Sequence, residues 1–399
     1  MNNIMLKNGI IITPFKKLYG KVLFLKDKKI EKIIRKEEFN SYSEDYIKEY
    51  KIIDIKGSYI SPGFIDIHTH GANGADAVKD DIAPMAELKV KHGTTGFLPT
   101  LWTAEFGNMI AACSKISNFM KKKGTGSKVL GINSEGPYLN PNLGAQKKEL
   151  VRLPEYKDYS RLLEAGNGNL KIMTVAPELE GAEDLIKYLL QNNVVVSIGH
   201  TDIQLNDMHN ALNLGITLIT HILNAMGESV SKERGTKPLG IQEELLICDD
   251  LMSEVLSDKN GIHVKPTWLK ILVRCRGIEN IVLITDSMNM TGYAPGKYFL
   301  QDGRAAIIKE GEDIVRLENG DLAGSVMTID KAIKNMIKHT RVSLEDAVRM
   351  ASYNPAKAIK MSNRKGEIKE GMDADVAVFD ENINVKLTIV EGEVRYTNL

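Results

Sequence analysis

Residues 64–70 read FIDIHTH, a short apolar run (Phe64–Ile67) that ends in two histidines two positions apart. In an extended segment residues i and i+2 share a face, so both imidazoles can reach one point. Seven more apolar runs of similar length follow: Thr95–Leu98, Val129–Ile132, Ile172–Val175, Val194–Ile198, Ile216–Ile219, Leu251–Leu256 and Ile281–Ile284. Runs this short and this apolar are what buried parallel strands look like. The stretches between them suit crossover helices. Within 103–123, Met109, Ile110, Cys113, Ile116 and Met120 recur at helical spacing. Eight strands with intervening helices over roughly 300 residues is the arithmetic of an α/β (β/α)8 TIM-like barrel, here spanning 59–361. A doubly wound open sheet is the rival, but eight is the number that closes.

Outside this region the pattern changes. Ile10–Ile12, Lys21–Leu25 and Ile30–Ile34 alternate like short strands, and DADVAVFD (373–380) and VKLTIVEGEVRY (385–396) do so again at the far end. The expectation is a small β-sandwich domain built from both termini, 1–58 plus 362–399.

The 399 residues carry 52 Lys plus Arg against 52 Asp plus Glu, so no global field attracts nucleic acid or an anionic membrane. Cys113, Cys248 and Cys275 are too widely spaced for a metal motif and read as buried free thiols. The first 20 residues make a poor signal peptide, and no run of about 18 apolar residues occurs. A cytoplasmic location is expected.

The residues at the ends of the runs are not random. The first run leads into His68 and His70, the third into Asn133-Ser134-Glu135-Gly136-Pro137, the fifth into Gly199-His200-Thr201. The sixth leads into Thr220-His221 and the eighth into Thr285-Asp286-Ser287. Barrel active sites lie at the carboxyl ends of the strands. Four of the eight histidines, with a glutamate and an aspartate, therefore converge where a divalent metal of the zinc type would sit. His263, in a loop after the seventh run, is placed to join them. His92 reads as a helix C-terminal residue, and His209 and His339 as solvated. No phosphate loop, dinucleotide fingerprint or GxSxG elbow appears.

PGFIDIHTHG (62–71) is followed in order by SEGP, GH, THILNAM and TDSM, and then by LAGSVMTIDKAI (322–333), SYNPAKAIKM (352–361) and GEIKEGMDADVAVFD (366–380). In these strings the chain resembles the metal-dependent amidohydrolase superfamily and, within it, the N-acetylglucosamine-6-phosphate deacetylase family. The resemblance implies that Glu135, His200 and His221 hold a principal metal. It implies that His68 and His70 hold a second, bridged through Glu135, with zinc first and iron, manganese or cobalt as alternatives. Asp286 would be the general base and acid, and His263 would serve the sugar and the developing oxyanion. Asn224 and Ala225 would meet the sugar phosphate, and Leu322-Ala323-Gly324 would close over it. A homodimer and a small sugar-phosphate substrate are implied too.

Three departures concern the substrate. Ala145-Gln146 stands where many relatives have a histidine in place of Gln146. KERGTKPLG (232–240) replaces the usual run, leaving Arg234 as the phosphate candidate and Lys232 and Lys237 as rivals. Two extra residues fall within Ser257–His263. The C4 epimer, N-acetylgalactosamine 6-phosphate, is the first alternative substrate, because polar contacts decide such discrimination. Another amidohydrolase activity is opposed by Glu135, since such enzymes usually carry a bridging lysine. A non-catalytic scaffold is opposed by the complete set of ligands and base.

Overall fold

The computed structural model describes residues 3–39, 41–228, 234–236, 239–249 and 251–399. Eight parallel strands form the barrel: β1 (Phe64–Thr69), β2 (Thr94–Leu101), β3 (Ile132–Glu135), β4 (Leu170–Val175), β5 (Val195–Ile198), β6 (Leu218–Ile219), β7 (Met252–Leu256) and β8 (Ile281–Ile284). They pair in chain order. The third run divides: Lys128–Val129 pairs with β2, and Ile132–Glu135 is the strand that reaches the barrel mouth. Glu135 therefore ends β3 instead of following it.

One buried cluster draws on seven of the eight strands and on Leu130 just before β3: Ile65, Ile67, Leu98, Leu130, Ile172, Val195, Leu218, Met252, Leu256, Val282 and Ile284. Alternate residues, such as Phe97, Met173, Val196, Ile198, Ile219 and Leu283, join the larger cluster under the outer helices. This two-faced burial explains why the runs are apolar throughout. The seam between β8 and β1 closes through bonds near the mouth. Asp286 N–H donates to His68 O at 2.9 Å, His70 N–H to Ser287 O at 2.8 Å, and Thr285 Oγ1 to Asp66 at 2.6 Å. Lys89, on the helix Ala83–Lys91, donates to the same Asp66 at 2.7 Å.

A second, eight-stranded sheet joins the two ends of the chain. Strand 59–62 pairs in parallel with Ile4–Ile12 and antiparallel with Val376–Phe379. It belongs to this sheet although it lies beyond the expected boundary at residue 58. Ile4, Leu6, Leu23 and Leu25 share one buried cluster with Val376, Val378, Leu387 and Ile389.

Beyond what the sequence reading had placed, a four-stranded antiparallel sheet follows β8: Gly296–Phe299, Ala305–Ile308, Ile314–Leu317 and Leu322–Ser325. Asp302-Gly303 and Asn319-Gly320 are its hairpin signals. It packs over the barrel mouth and meets it at Gly324. There φ is +76°, and a Cβ would lie 2.6 Å from Asp286 O, so only glycine fits.

Two expectations are corrected. His339 is buried, its Nε2 donating to Asp258 O at 3.0 Å. Of the cysteines only Cys113 is buried, and Cys275 is exposed. The helix expected within 103–123 is present and runs Phe106–Met120. His92 does cap its helix, bonded to Asp330 at 2.9 Å, and His209 is exposed. Among the described residues no helix is long and apolar enough to cross a membrane.

Candidate metal centre and active site

Simple alternation does not aim the histidines inward. Ile65 and Ile67 face the barrel interior, so an unbroken β1 would turn His68 and His70 out. The pairing of β1 with β2 instead shifts register between Asp66 and Thr69, where the histidines begin. Such irregularities re-aim side chains next to active sites. His200 and His221 lie two residues beyond the outward-facing Ile198 and Ile219. Each adopts a left-handed backbone, φ +49° and +27°, and so does Asp286 at +47°. Non-glycine residues held there cost about 1–3 kcal/mol apiece, a cost that persists only where surrounding structure enforces it.

The result is a cluster of buried donors. Glu135 Oε1 lies 2.8 Å from His200 Nε2 and 2.9 Å from His221 Nε2. Its other oxygen is 3.2 Å from His70 Nε2, and Asp286 Oδ1 is 3.1 Å from that same nitrogen. The Nε2 atoms also face one another, His68 to His70 at 3.3 Å and His200 to His221 at 3.0 Å. Glu135 thus turns Oε1 to His200 and His221, with His68 Nε2 3.7 Å from that same oxygen, and Oε2 to His70. The two overlapping trios, His68–His70–Glu135 and Glu135–His200–His221, each keep their ligand atoms within 4.8 Å of one another.

Behind the rings, His70 Nδ1 donates to Thr100 O at 3.0 Å, and His200 Nδ1 lies between Leu143 O at 3.2 Å and the Gln146 amide nitrogen at 2.7 Å. A carbonyl only accepts, so His70 carries a proton on Nδ1 and turns its Nε2 to the cluster. A divalent cation among the converging nitrogens and carboxylate oxygens satisfies both at once. The donor set fits such an ion.

The electrostatics agree. Burial alone would raise the Glu135 carboxyl, but His200, His221 and His70 hold it well below the usual range. Burial would likewise raise Asp286, and His70 and His68 outweigh it, leaving a carboxylate. Burial works against the charged form of His68, yet Glu254, then Glu135 and Asp286, draw its pKa up to about 9.

The cluster floors a cavity of about 540 Å³. His70, Glu135, His200, His221 and Asp286 line it, together with Ala145, Gln146, Asn224, Ala225, His263, Leu322, Ala323 and Gly324. Asn224 Nδ2 donates to His263 O at 3.1 Å. His263 Nδ1 lies 3.5 Å from Asp258, and its Nε2 is buried with no partner among the described residues. The Gln146 side-chain amide meets His200 Nδ1 at 2.7 Å, so it braces a ring of the cluster as well as lining the cavity.

Arg234 is exposed and does not line the cavity, and Lys232 and Lys237 lie outside the described residues. The sequence reading missed Arg304, the only arginine or lysine among the described residues that line the cavity. It also missed Glu254, whose signal was a lone charge inside the apolar run of β7.

The family model for the amidohydrolase family matches residues 59–395. The chain is 32% identical over 343 residues to an N-acetylglucosamine-6-phosphate deacetylase of Lysinibacillus sphaericus, covering 85% of this chain and 86% of that protein. It is also 32% identical over 339 residues to an N-acetylgalactosamine-6-phosphate deacetylase of Escherichia coli O157:H7, covering 84% and 87%. Among solved structures it is similar to a Mycobacterium smegmatis N-acetyl-D-glucosamine-6-phosphate deacetylase mutant in complex with N-acetyl-D-glucosamine-6-phosphate. There the TM-score is 0.85 at 25% identity, over 99% of this chain and 100% of that one.

Proposed function

The chain belongs to the amidohydrolase family, and from that premise we infer that it hydrolyses the acetamide of N-acetylglucosamine 6-phosphate. The products are acetate and glucosamine 6-phosphate, a step of amino-sugar catabolism. One observation carries the reading. A single cavity joins the five-ligand cluster to the Asp286 carboxylate, in a chain similar over 85% of its length to an N-acetylglucosamine-6-phosphate deacetylase.

In this reading Glu135, His200 and His221 hold the principal divalent ion, and His68 and His70 a second that shares Glu135. Zinc is the first choice, with iron, manganese and cobalt tolerated by the same donors. When bound, the ion supplies Lewis acidity toward the acetyl carbonyl and lowers the pKa of its water to about 7. The remaining work falls to the protein. Asp286, ionised and facing the cavity, accepts the proton of the attacking water and then delivers it to the leaving nitrogen. An amine departs only once protonated, so one carboxylate serves both steps. The unpartnered His263 Nε2 donates to the sugar and the developing oxyanion, a contribution of about 3 kcal/mol in comparable sites. Asn224 and Ala225 meet the phosphate end, and Leu322-Ala323-Gly324 close the cavity over the sugar.

A phosphate needs a cation. Arg304 supplies it from within the cavity, with two of its donors held by Asp302 Oδ2 and Ala145 O, each at 2.6 Å. A homodimer, in which the exposed Arg234 would serve a second copy, is part of the same reading. A phosphate ester does not cross a bilayer unaided, so the reading places the enzyme in the cytoplasm with its substrate.

Acetate release from N-acetylglucosamine 6-phosphate and N-acetylgalactosamine 6-phosphate, measured side by side, tests the sugar. Faster release from the glucosamine ester is expected. Faster release from the galactosamine ester would move the substrate to the activity of the Escherichia coli relative, and release from neither would end the proposal.

A further inference from the structure

Glu254 lies in β7 between Met252 and Leu256, both members of the interior cluster, and is fully buried. An apolar side chain would suit that position, because burying a carboxylate is costly unless it is bonded. Its Oε2 accepts from His68 Nδ1 at 2.8 Å and, more weakly, from His221 N–H at 3.4 Å; its Oε1 has no partner. Of the four cluster histidines only His68 has a carboxylate behind its ring. His70 rests on a backbone carbonyl, His200 on a carbonyl and the Gln146 amide, and His221 Nδ1 has no partner among the described residues.

A carbonyl fixes a tautomer. A carboxylate fixes it too, and also strengthens the far nitrogen as a ligand. Three carboxylates, Glu135, Asp286 and Glu254, contact the histidine pair of β1. We propose that Glu254 is a positioning residue that keeps His68 protonated on Nδ1, with its Nε2 lone pair turned to the cluster. It thereby decides whether the chain holds one divalent ion or two. The proposal rests on the reading that the histidine pair of β1 binds a metal. It names the carboxylate that makes that half of the site work.

Metal content separates the possibilities without recourse to turnover. Full-length wild type, His68→Asn, Glu254→Leu and Glu254→Gln would be loaded with zinc, dialysed, and assayed for zinc per chain, with a cobalt(II) spectrum as a second readout. Two ions are expected in the wild type and one in His68→Asn. Glu254→Leu should keep the principal ion, which shows that the barrel has folded, and bind the second about 10–100-fold more weakly. Glu254→Gln retains an acceptor oxygen and should recover most of that affinity. Two ions at wild-type affinity in Glu254→Leu would overturn the proposal alone, as would loss of both ions from both Glu254 variants, since that marks a purely structural role. A wild type holding one ion, unchanged by His68→Asn, would overturn the two-ion reading, and the proposal with it.

Discussion

Each side chain of the site is held by something behind it. Leu143 O and Gln146 hold His200, Thr100 O holds His70, and Asp258 collects the backbone N–H groups of Asn260, Ile262 and His263. The cluster residues stand out in the sequence because each lies at or just beyond the end of an apolar run, whereas Gln146, Asn224, Ala225 and Leu322-Ala323-Gly324 came from the resemblance alone. The cluster's supports do not stand out, since carbonyl partners leave no mark in a sequence and Glu254 showed only as a charge out of place. Arg304 was equally hidden, because it reaches the cavity from the four-stranded sheet that the sequence reading did not place. Replacing Arg304 with methionine should raise KM for the phosphate ester about tenfold, the loss of one charge-assisted bond, with kcat within about a factor of two. Steady-state kinetics decide this, and an unchanged KM would remove Arg304 from the phosphate end.

At the scale of elements, two features carry local stability. The first is the seam between β1 and β8, where Lys89 and Asp66 pair out of reach of water. Lys89→Met would strand a buried carboxylate, which costs about 3–5 kcal/mol. Adding Asp66→Asn should return part of that loss, and denaturant unfolding of the double-mutant cycle measures it. The second is the loop 257–263. It reaches the sheet over the mouth: Lys259 N–H donates to Asp313 at 2.9 Å and Asn260 Nδ2 to Gly311 O at 3.2 Å.

Burial would raise the Asp258 carboxyl in that loop, but the nearby His263 ring and the N–H groups of Ile262 and His263 lower it to about 2. A group depressed from 3.8 contributes stability that is present above pH 3.8 and lost as pH falls through about 2. The stability difference between wild type and Asp258→Asn should therefore shrink across that window. A constant difference would mean that the charge does nothing. The loop's docking was illegible because the sheet it docks on was missed: strands of four residues, broken by charges, leave too little alternation to count.

For the whole molecule, the barrel and the terminal sheet divide the labour. The barrel's interior cluster is apolar, and the histidines, Glu135 and Asp286 gather at the carboxyl ends of the strands. The fold class was legible for that reason: eight buried strands write eight apolar runs, and a mouth full of ligands writes histidines after them. The join between domains was less so, because strand 59–62 reads like one more buried run while pairing with the terminal sheet.

The central claim is that the histidine–glutamate cluster binds a divalent ion and that Asp286 moves the proton. It is tested most directly by stripping the protein of metal and titrating zinc back, following acetate release from N-acetylglucosamine 6-phosphate in wild type and Asp286→Asn. Wild-type release should be absent when stripped and rise with bound zinc. Asp286→Asn should bind the same zinc and stay about 10²–10⁴-fold slower throughout. Full turnover by the stripped wild type, or by zinc-loaded Asp286→Asn, would contradict the account.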